Sequence, residues 1–123
     1  MNRTAIVKGG ILGGLAVILG AFGAHSLREY LSSEQLQIFH TGVEYQFYHS
    51  LALIAIGILY QNFQNLWIRY SGYAFFTGII LFSGSLYVLA AFSSLSYFGI
   101  VTPIGGLCFI AGWLFLIIGV LKK

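Results

Sequence analysis

The sequence has few charged residues, and this scarcity excludes most classes of soluble protein. Only 7% of its 123 residues are charged, and aspartate is absent altogether. Soluble domains carry roughly 25% charged residues, which help to cover their surface. Here 59% of the residues are hydrophobic and the mean hydropathy is +0.89. We therefore expect an integral membrane protein and not a water-soluble globule.

Cysteine and recognisable catalytic motifs are also scarce. Cys108 is the single cysteine, so no disulfide within the chain is possible. The six Lys and Arg residues stand in separate islands, and nucleic-acid binding would need a basic stripe. The sequence has no HExxH, no CxxCH, no G-x-S-x-G elbow and no Gly-rich phosphate loop after a strand. We therefore predict no enzymatic activity, no catalytic residue, no metal site and no nucleic-acid partner.

Long apolar runs are what the sequence does contain. Crossing about 30 Å of hydrocarbon takes roughly 20 helical residues, and four runs have about this length. They extend over residues 5–25, 33/40–60, 70–92 and 102–121. Ser32 and Gln35 fit a capping box before the second helix, and Thr102-Pro103 fits a cap before the fourth. The predicted fold is all-α, an integral membrane four-helix bundle forming a single transmembrane domain over residues 1–123.

The basic residues predict the orientation of this bundle. With four spans both termini lie on one side, and cytoplasmic loops carry an excess of Lys and Arg. Arg28 alone falls on the side remote from the termini. The other five, Arg3, Lys8, Arg69, Lys122 and Lys123, fall on the side of the termini. We expect a multi-pass protein of the cell (inner) membrane with both termini in the cytoplasm.

Glycine is abundant, and its spacing predicts close helix packing. In lipid, small residues at four-residue intervals let helix backbones approach each other. The predicted packing positions are Gly9, Gly10, Gly13, Gly14, Gly20, Gly84, Gly105, Gly106, Gly112 and Gly119. The first run could instead be a cleaved signal peptide, but its small residues are spaced for packing throughout. The same faces could also join two copies of the chain in a homo-oligomer.

Polar side chains within the predicted spans concentrate in the half of the bundle remote from the termini. His49 lies nine residues beyond His40, which is roughly 14 Å at 1.5 Å per residue. Polar groups in hydrocarbon are expensive, so these groups are expected to bind one another or a ligand. The candidate cluster consists of His25, Glu44, Tyr45, Gln46, His49, Ser83, Ser85 and Tyr87.

Three interpretations of this cluster remain open. In the first it only packs helices: Glu44 pairs with Arg28 or His40, and His49 bonds to Ser83, Ser85 or Tyr87. In the second it is a small binding site or proton relay, because ionisable groups inside membranes often mark pathways. In the third, His25 and His49 bind haem or a metal. We predict no cofactor, because no complete donor set at a recognised spacing is present.

Four motifs carry a resemblance to a known family. They are residues 20–25 (GAFGAH), 41–49 (TGVEYQFYH), 81–87 (LFSGSLY) and 102–106 (TPIGG) with Gly112-Trp113. In this order they closely resemble the domain-of-unknown-function family 423, over essentially the whole chain. The resemblance implies a small four-helix inner-membrane protein, and it brings no established activity. Because they match these motifs, His25, Tyr45, Gln46 and His49 are the first candidates for a functional role.

Two classes of function follow from these observations. The preferred one is a non-catalytic structural, stabilising or accessory component of the membrane. The alternative is a membrane protein that binds or transports a lipid, quinone, metal or proton at the polar cluster around His49. The expected partners are the lipid bilayer and either a second copy of the chain or another membrane protein.

Overall fold

The protein folds into four long helices. The structure, a computed structural model, describes residues 2–122, and all regular elements in this range are helical. Lys123, one of the basic residues counted above, lies outside the described residues. The long helices are α1, Arg3–Leu27; α2, Ser33–Leu59; α3, Leu66–Ala91; and α4, Val101–Leu121. A 3₁₀-helical segment, Ser93–Ile100, leads into α4.

Three of these helical segments are long and apolar enough to cross a membrane. They are Arg3–Leu27, Leu66–Ala91 and Ser94–Leu121. Helix α2 is just as long, with 27 residues, but it contains Glu44, Gln46 and His49. These polar residues lower its hydropathy, so composition by itself identifies three spans among the described residues, one fewer than the four expected.

Side-chain caps define where the helices start. The Asn2 side chain accepts a hydrogen bond from the Ala5 amide at 3.3 Å, at the start of α1. Ser32 and Gln35 form the predicted capping box, with bonds of 3.1 and 2.9 Å. The Asn65 side chain caps α3 by accepting from the Trp67 and Ile68 amides, so α3 begins at Leu66 and not near Tyr70. Each cap satisfies amides that have no partner within the helix.

The cap predicted at Thr102 is wrong. Helix α4 is already helical at Ile100, and no side chain caps its start. The 3₁₀-helical segment supplies the preceding turn, so the first amides of α4 do not depend on a hydroxyl. The Thr102 hydroxyl instead lies 2.5 Å from the Ser85 hydroxyl of α3. Thr102 therefore joins two helices.

The start of α1, the end of α2 and the end of α4 lie at one end of the bundle. The Asn2 amide donates to the Gly57 carbonyl of α2 at 2.8 Å. The Asn65 side chain donates to the Gly119 carbonyl of α4 at 2.9 Å. We call this end the termini end, and we call the other end, which holds residues 27–33 and 92–100, the opposite end.

Helix α3 changes its partner along its length. Its first part, Leu66–Gly78, packs mainly on α4, whereas its last part, Gly84–Ala91, packs mainly on α2. A π-helical turn, Ile79–Ser83, separates the two parts. Such a turn holds one more residue than an α-helical turn and so changes the direction of the side chains that follow. A second π-helical turn, Leu19–Gly23, occurs in α1.

Close packing at glycines holds the helices together. A Cβ atom on Gly9, Gly105, Gly112 or Gly119 would lie under 3 Å from a neighbouring helix, as it would on the unpredicted Gly42, Gly57 and Gly78. Gly13 and Gly20 face α2 at 3.6 and 3.1 Å, and Gly106 is 3.9 Å from the Phe82 side chain. The packing role predicted for Gly10, Gly14 and Gly84 fails within this chain, because nothing lies within 4 Å of their Cβ positions. Those three glycines lie on faces directed away from the neighbouring helices.

Substituting Gly105 tests this packing, with the adjacent Gly106 as control. A Cβ atom at Gly105 would lie 2.7 Å from the Phe82 Cα, which is backbone and cannot rotate away. We expect Gly105→Ala to destabilise the bundle by about 1–3 kcal/mol, as overpacking does in well-packed cores. Gly106→Ala should leave the midpoint of thermal unfolding in mild detergent nearly unchanged. Equal midpoints for the two variants would contradict the α3–α4 contact.

Candidate functional site

The structure divides the eight predicted cluster residues into a buried and an exposed group. Gln46, His49, Ser83 and Ser85 are buried, and Tyr87 is half-buried. His25, Glu44 and Tyr45 are exposed on the surface of α1 and α2. The cluster is therefore not one cavity lined by eight residues. We call the five buried or half-buried residues the buried network.

His49 lies at the centre of the bundle with both ring nitrogens occupied. Trp113 Nε1 donates to His49 Nε2 at 3.1 Å, and His49 Nδ1 lies 2.8 Å from the Tyr45 carbonyl oxygen. An indole N–H can only donate, so Nε2 must accept and Nδ1 must carry the proton. This is one neutral tautomer with no free lone pair. A bound metal or a passing proton would have to break one of these bonds.

Aromatic rings enclose the His49 ring. It stacks on Phe109 with ring centroids 3.6 Å apart and planes inclined by 9°. The Phe75 and Trp113 rings lie at 5.6 and 5.7 Å, and they also contact each other at 4.8 Å. His49 is only 5% exposed. The polar atoms of His49 are thus held in an apolar setting that fixes the rotation of α2 against α3 and α4.

Gln46 joins three helices through one amide. Its Nε2 donates to the Leu12 carbonyl of α1 at 2.7 Å, and its Oε1 accepts from the Tyr87 hydroxyl of α3 at 2.6 Å. Gln46 itself belongs to α2 and is 4% exposed. An amide suits this position because it offers a donor and an acceptor on opposite sides. The Leu12 carbonyl was not predicted as a partner, since backbone acceptors leave no mark in sequence.

The serines of the network bond across helix pairs. Ser83 donates to the Gly42 carbonyl of α2 at 2.7 Å. Ser85 donates to the Phe82 carbonyl at 2.8 Å, so the Thr102 hydroxyl donates to Ser85. Ser71, which was not predicted, donates to the Gly112 carbonyl of α4 at 2.7 Å. In the sequence, only the position of Ser71 within an otherwise apolar run could have indicated that it bonds to another helix.

The pairings predicted for His49 and Glu44 are wrong. His49 bonds to Trp113 and the Tyr45 backbone, and it bonds to no third-helix hydroxyl. Glu44 is exposed and has no hydrogen-bond or ion-pair partner among residues 2–122. Arg28 donates to His25 Nδ1 at 2.7 Å instead. Helix rotation explains the outcome, because Glu44 and His49 point to different sides of α2.

His25 and Glu44 line two adjoining grooves between α1 and α2, whereas the Tyr45 ring packs on Phe82 of α3 with ring centroids 4.8 Å apart. One groove, of about 420 Å³, is lined by His25, Arg28 and His40 toward the opposite end. The other, of about 330 Å³, is mostly apolar and has Glu44 at its edge. The two grooves share Gly20 and Ala21. They are open surface features and do not reach the buried network.

Neither haem nor metal ligation is supported by the arrangement of the histidines. His25 is exposed and accepts from Arg28, while His49 has both nitrogens engaged. Within residues 2–122 no group of three or more His, Cys, Asp or Glu side chains could hold a metal ion. Cys108 is a free thiol, and it is partly buried in α4.

The buried network is fully satisfied by the protein. Among the described residues, every buried side-chain nitrogen or oxygen has a hydrogen-bond partner. Most of these bonds connect one helix to another. Chemically, the network can hold helices in register, and it leaves no unpaired buried donor or acceptor for a substrate.

Comparison with known proteins identifies relatives of this chain. A family model described as "Protein of unknown function (DUF423)" matches residues 19–106. The UPF0382 membrane protein YwdK of Bacillus subtilis is 41% identical over 121 residues, covering 98% of both chains. The UPF0382 inner membrane protein YgdD of Escherichia coli K12 is 37% identical over 121 residues, covering 98% of this chain and 92% of its own. No solved structure matches.

The bond between Gln46 and Tyr87 can be measured with a double-mutant cycle. We expect Gln46→Leu and Tyr87→Phe each to lower the free energy of unfolding in mixed micelles. The pair should show a coupling of about 0.6 kcal/mol, the average for hydrogen bonds between membrane helices, and at most about 1.7 kcal/mol. Tyr97→Phe is the control, because Tyr97 is 64% exposed and makes no hydrogen bond. Purely additive effects of the two variants would contradict the bond.

Proposed function

The chain belongs to the family of proteins of unknown function DUF423, and from this premise we propose that it is a non-catalytic, stabilising or accessory component of the inner membrane. One observation carries the proposal: the buried polar groups bond to other helices of the same chain. A protein that worked on a substrate inside the bundle would need some of these groups free. In this chain the buried polar groups hold the helices together, which leaves the outer surfaces of the bundle for contact with partners.

A four-span arrangement with both termini in the cytoplasm completes the proposal. Helix α2 packs against both α1 and α3, and its Gln46 side chain bonds to both of them. Gln46 and His49 are buried and thereby shielded from lipid, so the modest hydropathy that they give α2 is compatible with a membrane-spanning position. The basic residues Arg3, Lys8 and Arg69 cluster at the termini end, as the positive-inside rule expects for the cytoplasmic side.

The alternative, binding or transport of a lipid, quinone, metal or proton around His49, has less support. Ligand binding there would displace Trp113 from His49 or Tyr87 from Gln46. Neither of the two grooves described above adjoins His49. Four helices are also few for a transporter, and the sequence has no clear internal repeat. The accessory role is therefore preferred.

Native mass spectrometry with an absorption spectrum of the same sample distinguishes these two functions. We expect wild type and His49→Ala, purified in mild detergent, to carry no stoichiometric quinone, haem or metal. His49→Ala should unfold at a lower temperature, because it removes the Phe109 stack and leaves Trp113 Nε1 unpaired. His40→Ala, an exposed histidine on the same helix, should match wild type. A ligand present in wild type and His40→Ala but lost from folded His49→Ala would establish the alternative.

Cysteine labelling tests the orientation. In a Cys108→Ala background, Glu29→Cys lies in the exposed turn at the opposite end and Gln61→Cys in the exposed turn at the termini end. We expect a membrane-impermeant thiol reagent added to intact cells to label Glu29→Cys and not Gln61→Cys. After permeabilisation both should react. The reverse pattern in intact cells would place the termini outside.

A further inference from the structure

A cleft at the termini end brings three basic side chains together. It lies between the first turns of α1 and the first turns of α3, above the end of α2, and has a volume of about 540 Å³. Arg3 and Lys8 line it from α1, and Arg69 lines it from α3. Tyr60, Tyr73 and Thr4 add hydroxyl groups. The cleft is separate from the buried network and from the two grooves between α1 and α2.

The protein supplies no side-chain anion to balance these three cations. Its only carboxylate side chains belong to Glu29, Glu34 and Glu44. Glu29 and Glu34 lie at the opposite end, and Glu44 lies on the surface in the half of α2 nearer that end. None of the three lines the cleft. The cleft therefore carries an uncompensated positive charge that favours an anionic occupant.

The side chains already bound in the cleft leave donors free. The Lys8 ammonium lies over the Phe76 ring, 4.5 Å from its centroid, and Arg69 donates one hydrogen bond to the Tyr60 hydroxyl at 3.1 Å. Arg3 makes no hydrogen bond, ion pair or ring contact with another side chain among the described residues. A guanidinium has five N–H donors and an ammonium has three. Most of these donors therefore remain available to an occupant.

Depth favours a lipid over a soluble anion. Lys8 lies five residues after Arg3 on α1, which is about 7.5 Å further along the helix axis. The cations thus extend from the membrane surface toward the hydrocarbon, the depth range of a phospholipid headgroup and its glycerol. Beneath the cleft the space narrows to about 30 Å³ among Leu53, Ile56 and Gly72. This space is too small for acyl chains, so recognition would rest on the headgroup.

We propose that this cleft binds the headgroup of an anionic phospholipid from the leaflet at the termini end. The phosphodiester oxygens accept hydrogen bonds from Arg3, Lys8 and Arg69, and the hydroxyls of Tyr60, Tyr73 or Thr4 bond to the headgroup alcohol. The acyl chains follow the lipid-facing surface beside the cleft. Basic pockets between membrane helices bind anionic headgroups in this way.

Lipid retention in native mass spectrometry tests the proposal. The protein is reconstituted in nanodiscs of phosphatidylglycerol and phosphatidylcholine in equal amounts, released in mild detergent, and its bound lipids are counted. We expect wild type to retain one phosphatidylglycerol. Lys8→Gln and Arg69→Gln should each bind it about fivefold more weakly, because a basic residue near the surface contributes about 1 kcal/mol to anionic lipid binding.

Lys122→Gln is the matched control, since it removes a positive charge at the same end without touching the cleft. It should retain phosphatidylglycerol as wild type does. Equal loss in Lys122→Gln and the cleft variants would overturn the site in favour of a diffuse surface charge. If wild type does not retain phosphatidylglycerol selectively, the proposal is overturned outright.

The fold of each variant is checked by its midpoint of thermal unfolding in phosphatidylcholine alone. If Arg69→Gln is unstable because Tyr60 loses its partner, Arg3→Gln provides the same test without disturbing another side chain.

Discussion

The structure depends on one kind of contact: a side-chain donor on one helix that bonds to a glycine carbonyl on another. Ser83 reaches Gly42, Ser71 reaches Gly112, and Asn65 reaches Gly119. A helix carbonyl is usually screened by side chains, but at a glycine the neighbouring backbone can approach closely. In lipid, where burial gives helices little reason to associate, these bonds and the dense contacts around them supply the cohesion.

The polar residues fall into two groups with different roles. The network around Gln46 and His49 is satisfied within the chain and sets the rotation of each helix. The charged residues are instead on the outside and are unequally distributed, with the three glutamates toward the opposite end and most cations at the termini end. The polar interior of the bundle is therefore closed, and its surface is electrically asymmetric from one end to the other.

Much of the fold could be predicted from sequence, because helices are specified locally. Run length and the Ser32–Gln35 capping box locate α2, whereas the cap at Asn65 was overlooked because its apolar run begins later. Contacts between helices were harder to predict. The bond from Trp113 to His49 joins residues far apart in sequence, and it depends on the rotation of two helices. Spacing identified which residues are small, but not which face of α1 meets α2, so Gly10 and Gly14 were assigned to packing.

The π-helical turn in α3 has a consequence for how this chain can vary in length. Removing one residue from Ile79–Ser83 would restore a regular α-helix, and because the π-helical turn already absorbs one residue, the later residues of α3 would keep their present direction. Ser85 and Tyr87 would then stay beside Thr102 of α4 and Gln46 of α2. A deletion within the α-helical part Leu66–Gly78 would instead turn every later residue by about 100° relative to the residues before it. The π-helical turn thus makes the middle of this membrane helix more tolerant of losing a residue than the α-helical part before it.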